Sequence, residues 1–210
     1  MTVFNKLNLP ISFLILMISA SSFSQEKEQK LKNLFNEFHV SVNHGIGSGR
    51  TFFGAGLGAN KVFRAEKIVA FRTGIEFQLF HTWDDVGDPS HFSAIKNIHR
   101  NHIDFMVPVA MRINIQRMFI ELGGNVGVGV VGWERFTYLS FPLGKPTVQT
   151  ERKEGWTPGF SMGLMGGIGG LIPLNEKLDL LIRPDVGASV YFHGEFLNLY
   201  ARLCIGIHLK

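Results

Sequence analysis

The chain has 210 residues, of which 45% are apolar and 18% charged, with a formal net charge of +4. That balance is too apolar for a disordered chain, and no run of 18 or more apolar residues occurs, so a spanning helix is excluded. The small positive excess is scattered and forms no basic stripe with interleaved aromatics, which excludes a nucleic-acid-binding face.

Residues 1–24 read as a secretory signal peptide. Lys6 supplies the positive flank, Leu7 to Ile18 the short apolar stretch, and Ser22-Phe23-Ser24 the small residues before the cut. No cysteine lies near that cut, so a lipid anchor is not expected, and the one cysteine, Cys204, leaves no internal disulfide to form. Residues 25–37 (QEKEQKLKNLFNE) are polar and read as a short periplasmic lead.

From Phe38 to Lys210 the hydrophobic period is two, the period of a pleated strand with one greasy and one polar face. In chain order, the alternating runs are Phe38–Ile46, Phe53–Asn60, Val69–Leu79, Ile103–Ile115, Met118–Val130, Gly159–Leu171, Leu178–Val190 and Leu197–Leu209. The clearest is Ile103–Ile115, whose odd positions are all apolar while its even positions carry Asp104, Arg112 and Asn114. The least regular is Gly159–Leu171, where glycine interrupts both faces. Most runs reach the roughly 9–11 residues that a tilted membrane strand needs, longer than the usual strand of about 5–6 residues in soluble proteins. The expected fold is therefore all-β, an eight-stranded antiparallel closed transmembrane barrel.

The connections follow the outer-membrane rule of long loops outside and short turns inside. The longest, His81–Asn101 and Gly132–Pro158, follow the third and fifth runs, whereas Gln116-Arg117 and Pro173–Lys177 follow even ones. Phe52, Phe53, Phe80, Trp83, Trp133, Phe136, Trp156, Tyr191 and Phe192 cluster towards the outer rim and read as an aromatic girdle at headgroup level. Pro108 and Pro184 fall mid-strand, where a closed sheet has no edge for a missing donor, so bulges or local breaks are expected there.

A sheet in hydrocarbon must close on itself to pair its backbone, and eight strands leave an interior just wide enough for side chains. The non-apolar face then points inward. It carries Arg72, Glu76, Asp104, Arg112, Glu121, Asp179, Arg183, Asp185 and Arg202, a nearly neutral set. Buried charges persist when paired, so these nine residues are expected to form a lumenal charge network that acts as a packed plug rather than an ion path.

The segment IDFMVPVAMRINIQRMFIELGGNVGVGV, with Pro108, Arg112, the Gln116-Arg117 turn and the Gly123–Gly129 strand, resembles the PorT-like outer-membrane β-barrel family. The terminal YARLCIGIHLK is similar to the sorting signal of such barrels, ending in Lys210 where that signal carries an aromatic residue. The resemblance implies a barrel in the cell outer membrane and no shared catalytic residues; some members serve protein secretion or gliding.

Other motifs carry less. Gly127–Gly132 matches GxGxxG but is followed by no helix, so a dinucleotide site is not expected. Gly45–Thr51 lacks the lysine of a phosphate loop and reads as a hairpin turn. Asp84, Asp85, Asp88, His91, His99 and His102 match no calcium or zinc spacing. His81, Ser90, Ser93 and Glu134 could meet as a catalytic group only through folding of the long loops. The expectation is a non-enzymatic barrel with no cofactor, in a structural, surface-binding or secretion-accessory role. Its expected partners are outer-membrane lipid, the barrel assembly machinery and an envelope protein met through the extracellular loops. The alternatives are a barrel-rim enzyme acting on outer-membrane lipid or peptide, and a soluble lipocalin-like carrier whose apolar face would line the cavity.

Overall fold

The computed structural model describes residues 34–47, 50–85, 95–140, 147–154, 159–192 and 196–210. The expected signal peptide and residues 25–33 of the expected lead lie outside the described residues. Among the described residues nine antiparallel strands follow in order: β1 (Glu37–Gly47), β2 (Arg50–Phe63), β3 (Val69–Asp85), β4 (Ile95–Ile115), β5 (Met118–Ser140), β6 (Thr147–Glu154), β7 (Phe160–Pro173), β8 (Leu178–Tyr191) and β9 (Phe196–Leu209). Sequential neighbours pair around the wall, β1 pairs with β9, and β5 skips β6 to pair with β7. Eight strands thus close into a ring, and the ninth, β6, stands outside it.

The extra strand corrects the reading of the two long connections as loops. β3 runs on to Asp85 and β4 begins at Ile95, so most of 81–101 is a hairpin extension. Likewise β5 continues to Ser140 and β6 returns along it, Trp133 opposite Glu154 through Ser140 opposite Thr147. Above the barrel, the upper parts of β3, β4 and β5 together with β6 form a four-stranded projection.

The geometry of β5 changes where the projection begins. Asp104 pairs with Gly129 but Ile103 pairs with Val131, so Val130 is an extra residue in β5. Val130 and Val131 are consequently both exposed. The bulge reverses the inside–outside phase of β5, so that even positions such as Gly132 turn inward above it while odd positions do so below.

Both mid-strand prolines meet a local break without a register change. β3 and β4 pair at Thr73–Val109 and again at Glu76–Met106, skipping the two pairs around Pro108. β7 and β8 pair at Gly167–Asp185 and again at Gly170–Ile182, skipping the two around Pro184. Each proline keeps its partner on the other side, Asn125 and Leu203 respectively. The missing N–H is thus absorbed on one ladder only.

The turns at the opposite end are short and pinned. Arg64 adopts φ 56° and Gln116 φ 58°. Asn114 donates to the carbonyls of Ala65 (2.9 Å) and Lys67 (2.6 Å), tying the β2–β3 turn to β4. Asn175 accepts from the backbone N–H groups of Lys177 and Leu178, closing the β7–β8 turn.

Candidate functional site: a stratified lumen and an apolar wall

The alternation read from the sequence puts its polar members inside the ring. Arg72, Arg112 and Arg183, together with Glu37, Glu76 and His39, rank among the largest fully buried side chains. Their partners form a chain of alternating sign. Glu37 receives both terminal nitrogens of Arg112 (2.6 and 3.0 Å). Arg112 Nε donates to Glu121 Oε1 (2.7 Å), and Glu121 Oε2 accepts from Arg72 Nε (3.1 Å). Arg72 Nη1 reaches Glu76 Oε1 (3.2 Å), Glu76 Oε2 accepts from Arg202, and Arg202 Nε donates to Asp185 Oδ1 (2.9 Å).

Arg183 lies at the centre of this chain. It is within 3.5–3.8 Å of Glu37, Glu76, Glu121 and Asp185, at ion-pair rather than hydrogen-bond range. Its Nη2 points at the buried Sγ of Cys204, 3.5 Å away. Four carboxylates thus face four guanidinium groups, a balance that keeps this many charges tolerable in a dry interior.

Seven of the nine residues expected in the network meet here: Arg72, Glu76, Arg112, Glu121, Arg183, Asp185 and Arg202. The other two do not join it. Asp104 sits nearer the outer mouth and accepts a hydrogen bond from the Tyr191 hydroxyl. Asp179 lies at the turn end, paired with Lys210 Nζ at 2.8 Å. Sequence reasoning missed Glu37, which it placed in the lead. The signal was present, because Glu37 continues the inward series His39, Ser41 and Asn43 by one step of two.

Layers of different chemistry flank the ions. Towards the turns, Val62, Ala70, Phe119 and Leu181 are buried and apolar. The Phe119 ring carries the Arg112 guanidinium 3.9 Å from its centroid. Gly169 makes room for that ring, since a Cβ there would lie 2.2 Å from Phe119 Cζ. Towards the mouth comes an amide layer in which Asn43 donates to Gln78 and Gln78 donates to Ser41. Above it Phe52 packs edge-on to Phe80 (5.5 Å), Phe80 stacks on His102 (5.0 Å), and His102 meets Tyr191 edge-on (5.9 Å). The cavity between these two upper layers, lined in part by Asn43, Gln78, Met106 and Tyr200, is only about 20 Å³, about the space of one water molecule.

These rings correct the expected girdle. Phe52 and Tyr191 are buried and face inward as part of a lid rather than outward to headgroups. Phe53 and Phe192 do face outward, both more than half exposed. Of the tryptophans, Trp133 is half-buried, and Trp156 lies outside the described residues.

The outer wall is the complement of the lumen. Val42, Leu57, Phe77, Val109, Leu122 and Leu203 are exposed on it. Along β4 the apolar face runs from Ile115 to Ile103. Twelve steps at about 3.4 Å, tilted about 40°, span roughly 30 Å, near the height of the apolar band of membrane barrels. The band ends where the outward positions turn polar: His81 bonds Asn101 at 2.8 Å and stacks on His99 at 5.5 Å. At the other end it stops at the charged turns. A closed, even-stranded antiparallel ring that is greasy outside and ionic inside is a membrane-spanning barrel of the outer-membrane type. The lipocalin-like alternative is overturned, because the buried face is the charged one and the apolar side chains face outward.

The candidate catalytic group does not assemble among the described residues. His81 is engaged with Asn101, and Glu134 is paired with Arg100 at 2.6 Å. Ser90 and Ser93 lie outside the described residues. Nor do His, Cys, Asp and Glu side chains gather in a group of three that could hold a metal ion, among the described residues. Asp88 and His91 lie outside them. GxGxxG falls within β5, with strand rather than helix after it.

No family model and no curated protein sequence matches the chain. Among solved structures, Neisserial surface protein A (NspA) aligns with a TM-score of 0.46 at 11% identity, over 84% of this chain and 96% of that one. Ail, the attachment invasion locus protein of Yersinia pestis, aligns with a TM-score of 0.36 at 10% identity, over 83% and 95%. The translocator domain of the autotransporter NalP from Neisseria meningitidis aligns with a TM-score of 0.29 at 10% identity, over 94% and 99%.

Proposed function

We propose that the chain is an integral outer-membrane barrel whose lumen is plugged to ions and solutes, and that it works without catalysis through its outward hairpins. The supporting observation is the interlocked ionic chain from Glu37 to Asp185, closed over by the Phe52–Phe80–His102–Tyr191 lid. A path for solutes would have to break several charge-assisted bonds at once. The projection built from upper β3, β4 and β5 with β6 offers an envelope protein partner a surface, in a surface-binding or secretion-accessory role. Kinship with PorT-like barrels rests on the sequence resemblance of β4 and β5. The terminal strand β9 is the element that the assembly machinery would read.

Two measurements test this. Protein refolded into vesicles migrates faster on a gel unheated than boiled, and adds no conductance to a planar bilayer; steady channel openings of the wild type overturn the plug. Expressing the protein leaves the lipid composition of the host outer membrane unchanged, and a new lipid species would establish the rim enzyme instead.

A further inference from the structure

The turn end of the barrel carries an unbalanced set of cations. Lys61, Arg64, Lys67, Arg117, Lys177 and Lys210 all fall on it, against Glu66 and Glu176 in the turns and Asp179, which Lys210 holds. Arg64, Lys67, Arg117 and Lys177 are exposed and take part in no ion pair among the described residues. The outward end is different. There Arg100 is paired with Glu134, β6 mixes Glu151 and Glu154 with Arg152 and Lys153, and Asp84 and Asp85 stand against Arg50, Lys96 and Arg135, a set close to balance.

The cations are also interleaved with large exposed apolar side chains. Arg64 follows Phe63 (49% exposed), Lys67 precedes Ile68 (74%), and Arg117 precedes Met118 (56%). Short turns place each pair at the lower edge of the apolar band. Long cationic stems at such a boundary lie along hydrocarbon and put their heads at headgroup level.

We infer that this rim is a collar that binds the phosphate headgroups of anionic phospholipids in the facing leaflet. The inference rests on the membrane-barrel reading. A soluble acidic partner would favour cations projecting beyond the greasy edge, whereas these are spliced into it. Negative lipid surfaces attract each nearby Lys or Arg within a Debye length. The collar would therefore select anionic lipid around the barrel and fix which end faces that leaflet.

The test uses the full chain refolded into phosphatidylcholine vesicles carrying traces of spin-labelled phosphatidylglycerol or phosphatidylcholine. Electron paramagnetic resonance reads the fraction of each label immobilised at the barrel. The wild type is expected to prefer the anionic label roughly fivefold, about what one cation's attraction to an anionic surface gives, and to lose the preference in molar salt. The quadruple variant Arg64→Gln, Lys67→Gln, Arg117→Gln, Lys177→Gln is expected to show no preference. The variant Arg135→Gln with Lys153→Gln, at the other end, keeps it. Equal immobilisation of both labels by the wild type, or equal loss in both variants, overturns the collar. So does salt-sensitive binding of soluble polyglutamate by the detergent-solubilised protein with no lipid preference, which would make the rim a site for an acidic polymer. If the quadruple variant does not refold, the salt dependence of the wild type decides alone. Failure of the wild type to insert into vesicles overturns the membrane reading itself, an outcome separate from insertion without selectivity.

Discussion

Arg112 and Arg183 are both buried arginines in one network, yet they do different things. Arg112 makes hydrogen bonds to both Glu37 and Glu121, so removing it takes both guanidinium bonds from Glu37 and leaves Glu121 bonded to Arg72 alone. Arg112→Met should cost about 3–5 kcal/mol, the usual penalty for breaking a buried pair from one side. Arg183 meets its four carboxylates only at 3.5 Å or more, and Arg183→Met should cost less than half as much. The midpoints of urea unfolding from vesicles measure both, and equal shifts would contradict the arrangement. Gly169→Ala should also destabilise, by about 1–3 kcal/mol as overpacking does, because the new Cβ displaces Phe119 from beneath Arg112. The same unfolding curves read it. That the charges face inward was legible in the alternation of Arg72, Glu76, Arg183 and Asp185 with apolar neighbours. Their partners were not, since Glu37 and Arg112 are 75 residues apart and meet only across the closed lumen.

At the scale of the element, β5 is one strand with two jobs. Its lower part is barrel wall, paired to β4 and β7, and its upper part is the middle of the projection, paired to β4 and β6. Because β6 touches the wall through β5 alone among the described strands, replacing residues 136–151 by a short glycine turn should leave a barrel that is still heat-modifiable on a gel. Deleting Val130 should be tolerated. It removes only the extra residue, so Val131 follows Gly129 directly opposite Ile103, and upper β5 keeps its facing and the Glu134–Arg100 pair; the readout is the yield of folded barrel after refolding. The prolines were legible as breaks because a missing N–H is a local fact. The bulge was not, because both valines of the pair suit the outside of the wall, and only the partner strand reveals which one is extra.

The whole molecule is a sheet rolled so that its core is ionic and its surface greasy, the reverse of a soluble barrel. Two layers cross its lumen, one of ion pairs and one of rings. Phe52→Ala with Tyr191→Ala, which strips the rings, should therefore still give no conductance in planar bilayers, because the chain from Glu37 to Asp185 remains intact. Channel openings in that variant would show that the rings are the seal.

Period-two alternation, strand length and the contrast of long and short connections determined the fold class, the direction of each face and the ends of the wall. These are properties of short stretches, and the pleat turns each of them directly into geometry. Closure decided the rest. It set which acid meets which arginine, turned Phe52 and Tyr191 into a lid rather than a girdle, and let β5 outgrow the ring to carry β6. Each of those outcomes depends on residues far apart in the chain arriving at the same height and on the same side of one cylinder, a relation that no local pattern encodes.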